Sequence, residues 1–73
     1  MDRKKLSQTI ATNLVRLRRA RGMTQTDVAN AIGMLRPNYA RMESGRRLPA
    51  VYVLYRLADV FEVSADDLRK KLQ

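Results

Sequence analysis

The sequence predicts an all-α domain of five helices with short connections, and three observations carry that prediction. Apolar residues recur at helical spacing along almost the whole chain. β-Branched residues never alternate cleanly with polar ones, so strand signals are absent. Glycines fall where the first three helical patterns have to stop, at Gly22, Gly33 and Gly45. The chain has 73 residues and no internal repeat, low-complexity tract or long linker, which describes one domain. Residues 1–7 read as a basic N-terminal extension or the start of the first helix, and residues 8–73 as the domain itself.

The first helix is expected over about Ser7 to Arg21, with Ile10, Leu14 and Leu17 on one stripe that Leu6 continues backward. Thr24 then reads as an N-cap, with Asp27 three residues on as its capping-box partner. A short helix from Gln25 to Ile32 buries Val28, Ala29 and Ile32, and Gly33 breaks it. The third helix covers Leu35 to Glu43, with Pro37 in its first turn, where the missing N–H costs little. Tyr39 and Met42 form its inward pair at i and i+3, and Arg46-Arg47-Leu48-Pro49 makes a basic loop after Gly45. A fourth helix runs from about Ala50 to Phe61, with Val51, Leu54, Ala58 and Phe61 as its core stripe. Ser64 and Asp67 cap the last helix, Ala65 to Lys71, which carries acids in its first turn and lysines in its last.

Composition narrows what such a domain can do. There is no Cys and no His, which removes disulfides and ordinary zinc sites and leaves helix packing or a second copy as the source of stability. Without Cys, His or a glycine-rich phosphate cradle, and with Asp66 and Asp67 diverging as helix neighbours, the chain is not expected to be an enzyme or to hold a cofactor or metal. No signal peptide is visible at the N-terminus, and the longest mostly apolar run, Leu48 to Tyr55, is far short of the ~20 residues of a membrane span. A cytoplasmic protein without a membrane or small-molecule effector domain is therefore expected.

The net charge of +8 is unevenly spread. Residues 1–21 carry seven Lys/Arg against Asp2, a balance of +6. Residues 22–47 carry four Arg against Asp27 and Glu43, a balance of +2, and residues 48–73 carry four against four. One part of the chain is thus suited to a polyanion and the other is not.

The central pattern is two short helices, Gln25 to Ile32 and Arg36 to Glu43, joined by Gly33-Met34-Leu35. Ala29 allows close approach where they cross, and Gly33 supplies a turn residue free to take positive φ. The string Thr24-Gln25-x-x-Val28-Ala29-x-x-Ile32-Gly33, followed by Arg41-Met42-Glu43-Ser44-Gly45-Arg46-Arg47-x-Pro49 and Leu57-Ala58, resembles the phage Cro/repressor type of helix-turn-helix domain, also called the xenobiotic-response-element type. The resemblance covers about residues 8–70 and implies a lambda-repressor-like fold that binds double-stranded DNA through its third helix.

Carried over position by position, the resemblance implies that Gln25 donates to a phosphate at the start of the second helix. Arg36, Asn38 and Arg41 would read bases from the outer face of the third helix, arginine suiting guanine and asparagine suiting adenine. Ser44, Arg46 and Arg47 would grip the backbone beyond it, and Arg18 in the first helix would pair with Glu43 to hold the unit together. Ala29, Gly33, Tyr39 and Met42 complete the structural set.

Three positions depart from the family pattern: Leu35 stands where Ser or Thr usually caps the third helix, Pro37 replaces a side chain that could read a base, and Tyr39 replaces Ile or Val. The fourth helix is apolar around much of its girth, and Tyr52, Val53, Tyr55 and Val60 are the candidate surface for a homodimer. A homodimer implies a pseudo-palindromic operator and a small stand-alone regulator, either a repressor or a control protein of restriction-modification type. The alternative is a protein-binding module of the same fold, such as an antitoxin or adaptor.

Overall fold

Residues 2–71 are described by the computed structural model, and they form α1 (Arg3–Ala20), α2 (Gln25–Ala31), α3 (Arg36–Glu43), α4 (Val51–Phe61) and α5 (Ala65–Arg69), with no strand among them. The first helix starts four residues before the expected Ser7, because the Asp2 side chain accepts the Lys4 N–H at 2.9 Å and satisfies one free donor of the first turn. The last helix is shorter than expected. It ends at Arg69, and Lys70 is already extended.

The helices stop by a shared backbone device. At the end of α2, Gly33 takes φ of 68° while Met34 N–H reaches back to Ala29 C=O at 2.8 Å and Gly33 N–H to Asn30 C=O at 3.2 Å. This closes the chain over orphan carbonyls and turns it sharply toward α3. The end of α4 makes the same reversal without glycine: Glu62 adopts φ of 55°, and Val63 N–H bonds Ala58 C=O at 3.0 Å.

Helix α1 packs against α3 and α5, α2 against α3 and α4, and α4 against α5. Their shared core comprises Ile10, Leu14, Val28, Ala29, Ile32, Tyr39, Met42, Val53, Leu57, Ala58, Phe61 and Leu68. The expected stripe on α4 is out of phase by part of a turn. Val53 and Leu57 are buried with Ala58 and Phe61, whereas Val51 is 69 % exposed and Leu54 is only partly covered. A helix apolar nearly all round does not fix which side turns inward, so contacts with α2 and α5 decide it. Val53, at 3 % exposure, therefore belongs to the core and not to a self-association surface, and Val60 is half-buried against the core. Tyr52 and Tyr55 do face outward.

Three polar side chains, Asn13, Arg21 and Arg56, tie the helices end to side. Asn13 on α1 is buried, and its amide donates to Leu68 C=O at 2.8 Å and Lys70 C=O at 2.6 Å, with Asp67 C=O at 3.4 Å. These bonds take up carbonyls at the end of α5 in place of a further helical turn. Arg21 donates to Phe61 C=O at the end of α4, beneath a contact with the Phe61 ring. Arg56 donates to Ile32 C=O at 3.1 Å, capping α2, with its guanidinium over the Tyr52 ring. Each places a cation or amide at a helix C-terminus, where carbonyls lack partners and the dipole is negative. No helix among the described residues is long and apolar enough to cross a membrane.

Candidate nucleic-acid interface

Helix α2 begins where the sequence marks it. Asp27 N–H donates to Thr24 Oγ1 at 3.0 Å, and Thr24 N–H donates to the Asp27 carboxylate at 2.8 Å. The bonds from Thr24 hold the Asp27 carboxyl below its ordinary range. Ala29 is 1 % exposed where α2 crosses α3, so the two backbones approach closely before Gly33 turns the chain.

Helix α3 divides into two faces. Tyr39 and Met42 are fully enclosed, and Arg36 and Arg41 are exposed on the opposite side with Asn38 half-buried beside them. Arg41 Nη1 donates to Asn38 Oδ1 at 2.7 Å, one turn apart on the helix. Arg36 Nη1 donates to Gln25 Oε1 at 3.1 Å, bridging the starts of α3 and α2. No side chain caps the start of α3, since Leu35 offers no acceptor.

Beneath this surface lies an ion pair that spans α1 and α3. Arg18 grips Glu43 with both Nε (2.6 Å, to Oε2) and Nη2 (3.0 Å, to Oε1), and its Nη1 donates to Met23 C=O at 2.9 Å. The Glu43 side chain is only 4 % exposed. Gln25 Nε2 also donates to Glu43 Oε1, at 3.0 Å. Burial pushes the Glu43 carboxyl up, but hydrogen bonds from Arg18 and Gln25, together with the Arg18 charge, outweigh it and leave it below its ordinary value. The same bond to Glu43 raises Arg18, against the opposing effect of burial. Arg18, Glu43, Gln25 and Arg36 thus form one hydrogen-bonded chain from the interior to the surface of α3.

Sequence reasoning did not anticipate the link from Gln25 to Glu43. Two polar side chains eighteen positions apart carry no local signal for each other. Nor does the count of basic residues in the first 21 positions translate directly into free surface charge. Arg18 is drawn into the ion pair, and Arg21 serves the end of α4 while standing 3.8 Å from Glu62.

Tyr39 sits against this pair, and its Oη is buried without a hydrogen-bond partner among the described residues. Burial, then the neighbouring Glu43, push the phenol far above its ordinary range, so the hydroxyl stays neutral. Burying an unpaired hydroxyl costs about 1–3 kcal/mol. Tyr39→Phe is therefore expected to leave stability unchanged or raise it by roughly 1 kcal/mol, measured by urea unfolding. A loss above that size would show that the hydroxyl supports the ion pair.

Beyond α3, Ser44 Oγ donates to Arg41 C=O at 3.0 Å, and the N–H groups of Arg46 and Arg47 both converge on that same carbonyl, at 3.0 and 3.2 Å. Gly45, with φ of 77°, lies directly over α1, where an added side chain would meet Gln8 Cγ at 3.6 Å. The loop is thereby fixed against α1 while Arg46 and Arg47 point into solvent. Gln25, Arg36, Asn38, Arg41 and Ser44 all lie on α2, α3 or the cap of α3, so one stretch of chain presents them.

The model of the Helix-turn-helix domain family matches residues 10–72. Among curated proteins, the chain is 40 % identical over 68 residues to an uncharacterized HTH-type transcriptional regulator, y4dJ, of Sinorhizobium fredii, covering 93 % of this chain and 84 % of that one. It is 37 % identical over 59 residues to the cryptic phage CTXphi transcriptional repressor RstR of Vibrio cholerae, covering 81 % of this chain and 53 % of that protein, so it spans about half of the repressor's length. Among solved structures, a hypothetical transcription factor, NHTF, from Neisseria superposes with a TM-score of 0.87 at 24 % identity, over 97 % of this chain and 82 % of that one, which is a likeness of fold. With this fold, the α2–α3 pair and these relatives, the chain belongs to the helix-turn-helix family of DNA-binding transcriptional regulators, in its Cro/repressor form.

Proposed function

We propose that the chain binds double-stranded DNA sequence-specifically as a small repressor or control protein, with α3 in the major groove of a pseudo-palindromic operator. The observation that carries this reading is the division of α3: Tyr39 and Met42 anchor it in the core, and Arg36, Asn38 and Arg41 stand together on its outer side. Two guanidinium groups and an amide at that spacing suit hydrogen-bonding base edges. Their bonds to one another and to Gln25 hold them extended before DNA arrives, which reduces the entropy lost on binding. Gln25 keeps a second amide hydrogen for a phosphate while the first serves Glu43, and Ser44, Arg46 and Arg47 supply further backbone contacts.

The chain acts as a homodimer in this reading. Val51, Tyr52 and Tyr55 are each more than 60 % exposed along α4, and residues 48–73 carry no net charge to oppose a second copy. Two copies related by a twofold axis would read half-sites about 34 Å apart, or a multiple of that. Control works by occupancy, through exclusion of polymerase in the cytoplasm, and depends on protein concentration.

Selection from random duplex DNA tests this directly. Enrichment of a symmetric sequence is expected, and failure to enrich any sequence would move the reading to a protein-binding module such as an antitoxin or adaptor. On the selected site, Arg41→Ala should relax preference at one base pair at a cost of about 1–3 kcal/mol. Arg46→Ala should weaken all sequences alike and flatten the salt dependence by about 0.9 in log–log slope, one phosphate's worth of released counterion. Unchanged affinity and preference after Arg41→Ala would remove Arg41 from the base-reading set.

A further inference from the structure

Among the described residues, the large apolar side chain left most open to solvent is not on α4. It is Leu35, 73 % exposed at the entry to α3. Its backbone is committed to the helix, because its carbonyl accepts Asn38 N–H at 3.0 Å and Tyr39 N–H at 3.1 Å. Its side chain is committed to nothing in the fold. A serine or asparagine at this N-cap would satisfy a free backbone donor, and leucine forgoes that bond while exposing a hydrocarbon surface to water. Exposed Arg36 and Pro37 follow it directly, so the tip of the helix presents a cation between two apolar groups.

When a helix of this type enters the major groove, its first residues lie against the base edges. Those edges display donors, acceptors and one apolar group, the C5-methyl of thymine. We propose that Leu35 reads a thymine methyl at the base pair beside the one addressed by Arg36. This rests on the assignment of α3 as the groove-entering helix. A leucine has no donor or acceptor, so the preference it confers comes from the methyl alone and is lost with it.

The experiment uses an operator obtained by selection, with each thymine of the half-site replaced in turn by deoxyuridine, which removes the methyl and keeps every hydrogen-bonding group. The unmodified chain is expected to lose about fourfold in affinity at one of those positions, the factor for withdrawing one methyl group from water. Leu35→Ala should weaken binding to the thymine operator by at least that factor and show no further loss on the deoxyuridine operator. Its melting temperature should be unchanged, because the side chain is exposed.

Equal sensitivity to deoxyuridine in Leu35→Ala and the unmodified chain overturns the assignment. So does a Leu35→Ala variant whose defect is weaker self-association in sedimentation, which would make Leu35 a contact between copies. If selection yields no preferred sequence at all, the reading of α3 as a DNA-recognition helix falls first, and this inference falls with it.

Discussion

Glu43→Ala is expected to cost the fold about 3–5 kcal/mol, the penalty for leaving one partner of a buried ion pair unpaired. Arg18 would keep only the Met23 carbonyl as an acceptor, and Gln25 would lose its anchor. A domain of this size has about 4–11 kcal/mol in total, so the loss is a large share of the whole. At roughly 4–8 °C per kcal/mol, the midpoint of thermal unfolding should fall by tens of degrees. DNA binding should weaken as a consequence. Replacing both partners with apolar residues, Arg18→Met with Glu43→Leu, should be less damaging than Glu43→Ala alone, because no charge is stranded. An unchanged melting temperature accompanied by lost DNA binding would instead make Glu43 part of the contact surface.

The pair also gives the fold an acid limit. Glu43 titrates below its ordinary 4.5 in the folded state, so its contribution is complete above about pH 4.5 and is lost as the pH falls through the lower folded value. Asp27 and Asp66, both lowered by hydrogen bonds, add to the same trend. Glu43→Ala should therefore show a flatter stability curve in that acid range than the unmodified chain.

Asn13→Ala is the second large effect, expected at about 2–3 kcal/mol by urea unfolding, since it takes the amide partner from the buried Leu68 carbonyl and the part-buried Lys70 carbonyl at the end of α5. Leu68, whose carbonyl accepts from Asn13 and whose side chain is fully buried, depends on α5 staying docked. Amide exchange should accelerate in α5 before it does in α2 or α3. A loss under 1 kcal/mol with no change in exchange would show that apolar packing alone holds α5.

These two residues differ in how much of their role the sequence discloses. The pairing of Arg18 with Glu43 follows from resemblance, because both stand at positions where the family places an ion pair. Asn13 has no such guide. One buried asparagine in an 18-residue helix looks like any polar surface position, and its acceptors lie more than fifty residues away. The same holds for Arg21 and Arg56, which reach carbonyls of other helices. Features written within four residues of sequence were legible: the capping boxes at Thr24 and Ser64, the glycine stops, and the inward Tyr39 and Met42. The phase of α4 was not, because valines, leucines and tyrosines on most of its sides leave the choice to its neighbours. The candidate interface was legible as a set of residues, but not as a network joined through Gln25.

The two-sidedness of α3 has a bearing on how such a protein can change over time. Its stabilising positions and its outward positions share eight residues yet never coincide. Exchanging Arg36, Asn38 or Arg41 leaves the core undisturbed, and surface substitutions of that kind usually shift stability by no more than about 0.5 kcal/mol. A lineage can therefore drift from one target sequence to another by single steps, each of them folded, and duplicated copies can part company in what they control without rebuilding the scaffold.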